Sequence, residues 1–239
     1  MQSYIIIPAR LNSSRLPRKM LREINGRTII QHTYLRAKEC EAFVDDIIVA
    51  TDSEEIKKSV EQVGGEVHMT GEQPNGTARV AQTVRDFNLE GIIVNWQGDY
   101  VNFLPQELHA LTHLGHIEED CVWTTYYCGG KEEFNNPSCV KVVVGDKLNC
   151  LYFSRAPIPY QSTHPFIHVG IYLYHSSLLN KILHSRKRKM YWLENENLEQ
   201  LYWLANGYKI KAMLCNNSIG IDTEADLAAF ENSLVCAKG

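Results

Sequence analysis

Through the first hundred residues, short apolar runs alternate with stretches whose apolar positions recur at helical spacing. Tyr4-Ile5-Ile6-Ile7 reads as a buried strand stopped by Pro8. Thr28 to Cys40 places Ile29, Ile30, Thr33, Tyr34 and Ala37 on one helical face, after the turn signal Asn25-Gly26. Asp46 to Asp52 predicts a second buried strand with a polar tip, and Glu54 to Val63 a helix closed by Gly64-Gly65. Glu66 to Met69 would be a third strand. A polar loop, Thr70 to Gly76, then leads into a helix from Thr77 to about Phe87. Gly91 to Trp96 is a fourth strand, with Gln97-Gly98-Asp99 at its tip. Alternation of this kind predicts βαβ units and a mostly parallel sheet.

The pattern changes after about Asp120. Val122 to Tyr127, Val140 to Val144 and Asn149 to Arg155 read as strands, and Pro157-Ile158-Pro159 excludes a helix there. His168 to Tyr174 resembles a strand with alternating faces. Residues from about 122 to 175 are therefore expected to form a mixed-sheet region inserted in the α/β frame. Ser176 to His184 and Leu193 to Ala205 read as helices, Lys209 to Leu214 as a late strand, and Thr223 to about Leu234 as a final helix. Thr223 stands at the cap position of that helix, with acids in its first turn. Arg186-Lys187-Arg188-Lys189 reads as a solvated loop between helices. No internal repeat or low-complexity segment interrupts the chain.

Composition narrows the classes. At 239 residues the chain has room for one large domain or two small ones. A hydrophobic fraction of 44% and a charged fraction of 22% are those of an ordinary soluble globular protein. The net charge of -4 argues against a nucleic-acid partner. No apolar run approaches the ~20 residues that span a bilayer, and no secretory leader precedes the first strand. Seven cysteines, odd in number, widely spaced and without a CxxC pair, exclude a zinc ribbon and a disulfide framework. Most of them read as reduced, buried small hydrophobes of a cytoplasmic protein.

Two groups of residues carry candidate chemistry. Arg10, Arg15 and Lys19, with serines and an asparagine among them, follow directly on the first buried strand. Loops at the carboxyl ends of parallel strands are where open α/β sheets bind ligands, and guanidinium forks with an ammonium suit phosphate oxygens. Asp99 and Asp222 each stand alone at a strand end. Magnesium takes one or two carboxylates plus substrate phosphates and waters, so this pair has the right chemistry. Capping and turning the chain is the commoner fate of a loop aspartate. Thr77 and Arg79 suit a ligand's polar edge, or equally an N-cap and a surface arginine.

Motifs running in order through the chain resemble the 3-deoxy-manno-octulosonate cytidylyltransferases. They include IIIPAR-x2-SSRLP-x-K at Ile5 to Lys19, ING at Ile24 to Gly26, IIVATD at Ile47 to Asp52 and GGEVHMT at Gly64 to Thr70. GTAR at Gly76 to Arg79, IVNWQGD at Ile93 to Asp99 and NPSCVKVV at Asn136 to Val143 follow. LYFSRAPIPY at Leu151 to Tyr160, HVGIYLY at His168 to Tyr174, LEQL at Leu198 to Leu201 and IDTEADL at Ile221 to Leu227 complete the series.

The resemblance implies the Rossmann-like α/β fold of nucleotide-diphospho-sugar transferases, as a single domain over 1–239. It implies transfer of CMP from CTP to the anomeric hydroxyl of 3-deoxy-manno-octulosonate (Kdo), for lipopolysaccharide or capsule synthesis. By motif position Pro8, Ala9, Arg10, Ser13, Arg15, Lys19, Thr77, Arg79 and Gln97 would bind nucleotide, and Asp99 and Asp222 would hold Mg2+. Arg15, Arg155, His168, Tyr172, Glu199 and Gln200 would bind the sugar acid. Arg10, Lys19, Asp99 and Asp222 would be catalytic, in a cytoplasmic homodimer without membrane or nucleic-acid partners. Two features depart from the family pattern. Tyr100-Val101 replaces the usual Glu-Pro after Asp99, and the segment between Tyr160 and His168 is short and lacks arginine and lysine. A modified octulosonate, another 2-keto sugar acid or a small acid therefore stand as alternative acceptors. A nucleotide-binding homologue without activity is the alternative from another class.

Overall fold

Strand β1 (Ser3–Ala9) is buried along its whole length. The computed structural model that contains it describes residues 1–13, 15–184, 191–218 and 220–236. The chain divides into two compact units, Met1–Ala110 with Ser218–Gly239, and Leu111–Asn217.

Contrary to the reading that Pro8 stops β1, the strand continues through it. The partner β4 (Asp46–Thr51) pairs as far as Pro8↔Ala50 and Ala9↔Thr51. On its other side β1 is paired only from Ser3 to Ile6. A proline beyond Ile6 therefore lies past the end of that ladder, where strand prolines are tolerated. Between β1 and β4 come a hairpin, β2 (Glu23–Ile24) and β3 (Arg27–Thr28), and helix α1 (Ile29–Lys38). Asn25 and Gly26 both have positive φ, the conformation a two-residue hairpin turn requires. Thr28 and Gln31 form a reciprocal capping box at the start of α1.

Helix α2 (Glu54–Glu61) is capped by Ser53 and closed by Gly64 at φ 75, and strand β5 (Glu66–Met69) follows. Helix α3 (Gly76–Asp86) and strand β6 (Ile92–Trp96) complete an all-parallel sheet in the order β6-β1-β4-β5. Three apolar strands rich in β-branched residues, β1, β4 and β6, are buried and account for the run-like pattern of this half, while the edge strand β5 is only partly covered.

Helix α4 (Pro105–Ile117), for which the apolar pattern gives no expectation, opens on Pro105, a residue suited to the first helical position. In the second unit β7 (Cys121–Cys128), the short helix α5 (Lys131–Asn135), β8 (Lys141–Val144), β9 (Cys150–Ser154) and β10 (Phe166–His175) follow. Then come α6 (Ser176–Leu183), α7 (Tyr191–Glu196), α8 (Glu199–Ala205) and β11 (Lys209–Leu214). Strand β7 is parallel to β11 and antiparallel to β10, and β8 is antiparallel to both β10 and β9. These strands are the expected mixed region, extended by β11.

Two expectations need correction here. Strand β10 has no exposed face: Ile167, His168 and Val169 are buried in succession, because both of its faces are covered. The helix read from Leu193 to Ala205 is two helices, broken where Asn197 turns left-handed at φ 49 and Leu198 is extended. The basic run Arg186 to Lys189 lies outside the described residues. Helix α9 (Glu224–Cys236) returns the chain to the first unit. Cys40, Cys121, Cys150 and Cys215 are buried, and no disulfide joins the described cysteines. Burial pushes the Cys40, Cys121 and Cys150 thiols up to about 12.

Candidate active site

Past Ala9 the chain leaves the sheet, and Arg18, left-handed at φ 53, turns it into a single 3-10 turn, Lys19–Leu21. That turn buries Lys19, which is 8% exposed. Its Nζ donates to Asp99 Oδ2 at 2.5 Å and to Asp222 Oδ1 at 2.9 Å. Desolvation pulls the Lys19 pKa down, but the two carboxylates outweigh it and hold the ammonium above its ordinary value. Arg15 reaches the other oxygen of Asp222 at 3.0 Å. Two negative and two positive groups thus gather at the tips of β1 and β6.

Both aspartates are held from behind. Asp99 follows Gly98, where a Cβ would lie a tight 3.2 Å from the Pro8 carbonyl and 3.2 Å from Met20 Sδ, so a larger residue would push on the end of β1. Tyr100 and Gly220 form an antiparallel bridge, and the Ile221 amide donates to the Asp99 carbonyl at 3.1 Å. Asp226 then accepts from the amides of Asp222 (3.0 Å) and Thr223 (2.8 Å) and from the Thr223 hydroxyl (2.8 Å), while its own amide donates back to Thr223 Oγ1. The cap read at Thr223 is therefore real, and it fixes the backbone of Asp222. Arg22 grips Glu224 with two bonds of 2.7 and 3.0 Å, an interaction without a sequence signal. The Tyr100–Gly220 bridge, between positions far apart in the chain, has almost no sequence signal. A glycine beside IDTEAD was its one visible cue.

The other nucleotide-side candidates lie on the same unit. Asn75, rather than Thr77, caps α3, accepting from the Ala78 amide at 2.8 Å. Thr77 Oγ1 meets Asn95 Nδ2 at 3.4 Å, and Gln97 Nε2 donates to Asn95 Oδ1 at 3.0 Å. A Cβ on Gly76 would fall 3.1 Å from Gln97 Oε1, so the Gln97 amide rests on the first residue of the helix. Arg79 is not a surface arginine. It is 3% exposed, pairs with Asp52 at 2.7 Å and donates to Thr70, tying together the tips of β4 and β5. Arg10 is exposed and Ser13 half-buried, while Pro8 and Ala9 are the last two residues of β1.

The second unit holds the acceptor-side candidates. Arg155 donates through its amide to Glu196 Oε2 (2.8 Å), through Nε to the Glu196 carbonyl (3.1 Å) and through Nη1 to the Pro137 carbonyl (3.1 Å). Glu196 is available because α7 ends there, and its other oxygen accepts from Ser154. Lys141, fully buried, donates to the carbonyls of Asn136 (2.9 Å), Cys139 (2.6 Å) and Arg155 (2.7 Å).

His168 Nε2 lies 2.9 Å from Thr124 Oγ1, and burial lowers its pKa to about 3, so the ring is neutral. Thr124 has one hydroxyl proton, and the carbonyls of Ile171 at 2.9 Å and Val169 at 3.2 Å, which can only accept, both compete for it. Nε2 is therefore the donor of the pair, and Nδ1 carries the free lone pair. Tyr172 packs beside this ring, centroids 5.5 Å apart, and its hydroxyl donates to Gln200 Oε1 at 3.3 Å. Glu199, half-buried, opens α8 one residue earlier.

The donor set at Asp99 and Asp222 fits a hard divalent cation. Two carboxylate oxygens already converge on one cationic atom. Among the described residues no group of three or more His, Cys, Asp or Glu gathers, here or elsewhere, so the site offers two carboxylates only. A magnesium ion there would take its remaining ligands from phosphate and water, its usual habit.

A cytidylyltransferase family model matches residues 4–211. The chain belongs to the cytidylyltransferase family. It is 38% identical over 236 residues to a 3-deoxy-manno-octulosonate cytidylyltransferase of Koribacter versatilis, covering 96% of this chain and 88% of that one. It is also 38% identical to an 8-amino-3,8-dideoxy-manno-octulosonate cytidylyltransferase of Shewanella halifaxensis, over 96% of this chain and 97% of the relative. A solved CMP:2-keto-3-deoxy-manno-octonic acid synthetase complexed with CTP superposes with a TM-score of 0.90 at 32% identity, covering 99% and 100% of the two chains. The α/β fold with its mostly parallel sheet, and nucleotidyl transfer as the activity, are those of this family.

Proposed function

We propose that this protein transfers CMP from CTP to the anomeric hydroxyl of 3-deoxy-manno-octulosonate, in a Mg2+-dependent reaction. The observation that carries this reading is the fixed pair Asp99/Asp222 facing Lys19 and Arg15 at the tips of the parallel strands, in a chain with Kdo-activating relatives. The acceptor oxygen forms a bond to the α-phosphorus, the bond from that phosphorus to the bridging oxygen breaks, and pyrophosphate leaves with that electron pair. The hydroxyl proton passes to solvent. Such transfers need positioning and charge neutralisation more than covalent help.

Arg10, Ser13, Arg15 and Lys19 would hold the triphosphate, with Arg10 and Lys19 countering charge on the leaving pyrophosphate. Pro8, Ala9, Thr77 and Gln97 would line the nucleoside, and Arg79 would brace that wall through Asp52. Asp99 and Asp222 would hold Mg2+, which when bound neutralises phosphate charge. Arg155 would pair with the acceptor's carboxylate. His168 would accept a sugar hydroxyl at Nδ1, beside Tyr172, Glu199 and Gln200. The exposed Leu151, Tyr160 and Leu214 of the second unit support a homodimer. A net charge of -4, and the lack of any described helix long and apolar enough to cross a membrane, support a cytoplasmic enzyme working on soluble precursors of lipopolysaccharide or capsule.

A second reading has its own support. The Shewanella halifaxensis relative is as similar as the first, and its name gives an 8-amino sugar acid as its acceptor. Incubation with CTP, Mg2+ and a panel of sugar acids, followed by pyrophosphate release, separates the readings. Turnover with Kdo is expected. Turnover confined to the 8-amino acid, or to another 2-keto acid, would replace the acceptor. CTP binding without pyrophosphate from any acid would leave a nucleotide-binding homologue.

A further inference from the structure

We propose that Lys19 is a placeholder for the metal ion: its ammonium occupies the point on which Asp99 and Asp222 converge, and the divalent cation enters only when nucleotide draws Lys19 away. This rests on the reading of the two aspartates as the metal-holding pair. Nζ sits 2.5 Å from one carboxylate and 2.9 Å from the other, and the Lys19 side chain is more deeply buried than either partner. It is thus the inner cation of the cluster. Arg15, outside it, takes the remaining oxygen of Asp222.

The carboxylates do not owe their convergence to the lysine. The Ile221–Asp99 bond and the Asp226 cap set both backbones. Two anions fixed face to face require a cation at all times, and an ammonium and a divalent ion repel too strongly at contact to share the position. Lysine suits an exchangeable role, since its charge rides on a flexible four-carbon stem. A triphosphate offers Lys19 and Arg15 new anionic partners and brings the metal with it. Ordered entry is the consequence: nucleotide-free enzyme holds metal weakly, and metal and CTP arrive together.

The test is Mn2+ binding to nucleotide-free protein, read as loss of the free Mn2+ electron paramagnetic resonance signal. Lys19→Met and Lys19→Gln should bind Mn2+ about tenfold more tightly than wild type, or better, once the competing charge is gone. Lys19→Arg should stay as weak as wild type. Asp99→Asn introduced into Lys19→Met should abolish the gain. Equal affinity of wild type, Lys19→Met and Lys19→Gln, in an enzyme whose turnover is stopped by EDTA, would overturn the placeholder while leaving the metal reading intact. Turnover that survives EDTA would remove the metal reading and the proposal with it. Should the variants fail to fold, wild type alone decides: tight Mn2+ binding without nucleotide at a site lost in Asp99→Asn overturns the proposal, and weak binding supports it.

Discussion

Two buried lysines, one in each unit, are satisfied in opposite ways. Lys19 has two carboxylates, which outweigh desolvation and hold its pKa up. Lys141 spends its three donors on backbone carbonyls, and desolvation lowers its pKa. Carbonyl dipoles satisfy an ammonium's hydrogen bonds without neutralising its charge, and aspartates do both. An ammonium in a cage of carbonyls has no anion to exchange for a ligand, so it serves as a tie between the 136–139 loop and Arg155. An ammonium shared by two carboxylates sits in an arrangement that ions and phosphates can enter. The same residue type, buried in both places, is a structural rivet in one and chemical equipment in the other.

The largest effects should fall where the contrast is sharpest. Asp99→Asn should reduce pyrophosphate formation by on the order of 10^3-fold or more, with an unchanged circular dichroism spectrum. Near-normal rates would mean that Lys19 and its partners are only another rivet. Lys141→Met should instead act on stability, lowering it by about 2 kcal/mol in denaturant titration, because three part-buried carbonyls lose their shared donor. CTP binding should survive it. A Lys141→Met enzyme with normal stability but no CTP affinity would erase the distinction between the two lysines.

The sequence showed the scaffold well and the contacts poorly, for a physical reason. Apolar runs report burial, so β1, β4 and β6 and the capped helices between them were legible, as was the mixed character of the later strands. Pairings between residues far apart leave no periodic trace. Lys19 meets partners 80 and 203 positions away, so placement at strand ends only suggests the grouping, and the resemblance is what turns it into one site. Arg79 reads equally as a ligand contact or a surface arginine, because its partner Asp52 lies in a different loop. The break at Asn197 was invisible because apolar spacing runs straight through it. Yet that break ends α7 at Glu196, which holds Arg155. The paired contacts of Glu196 and of Lys141 with Arg155 are absent from any local pattern.

Those contacts make Arg155 the next test of the contrast. Arg155→Ala keeps its backbone carbonyl for Lys141 but removes the guanidinium and its bonds to the Glu196 and Pro137 carbonyls, so it should cost about 1 kcal/mol of stability, less than Lys141→Met. Acceptor KM should rise roughly 10- to 100-fold, the scale of a lost charge-assisted pair, with CTP affinity unchanged. A collapse of CTP affinity would place Arg155 on the other substrate. Lost stability without a KM change would make it an extension of the Lys141 rivet.

His168 offers the smallest effect and the cleanest sign. Burial takes its pKa from 6.5 to about 3, so the folded protein keeps the ring neutral while the unfolded chain protonates it below about pH 6.5. The stabilisation from the neutral ring is therefore complete above the unfolded value and is lost as pH falls from there toward the folded one. At pH 5 the loss amounts to ~2 kcal/mol. His168→Asn, which does not titrate, should be less stable than wild type at pH 7.5, and the gap between the two should narrow by that amount at pH 5. Because the ring stays neutral with Nε2 donating to Thr124, acceptor KM should show no step between pH 6 and 8 that His168→Asn abolishes. Such a step would mean that the ring titrates in that range, and that Thr124 does not fix Nδ1 as the acceptor offered to the sugar.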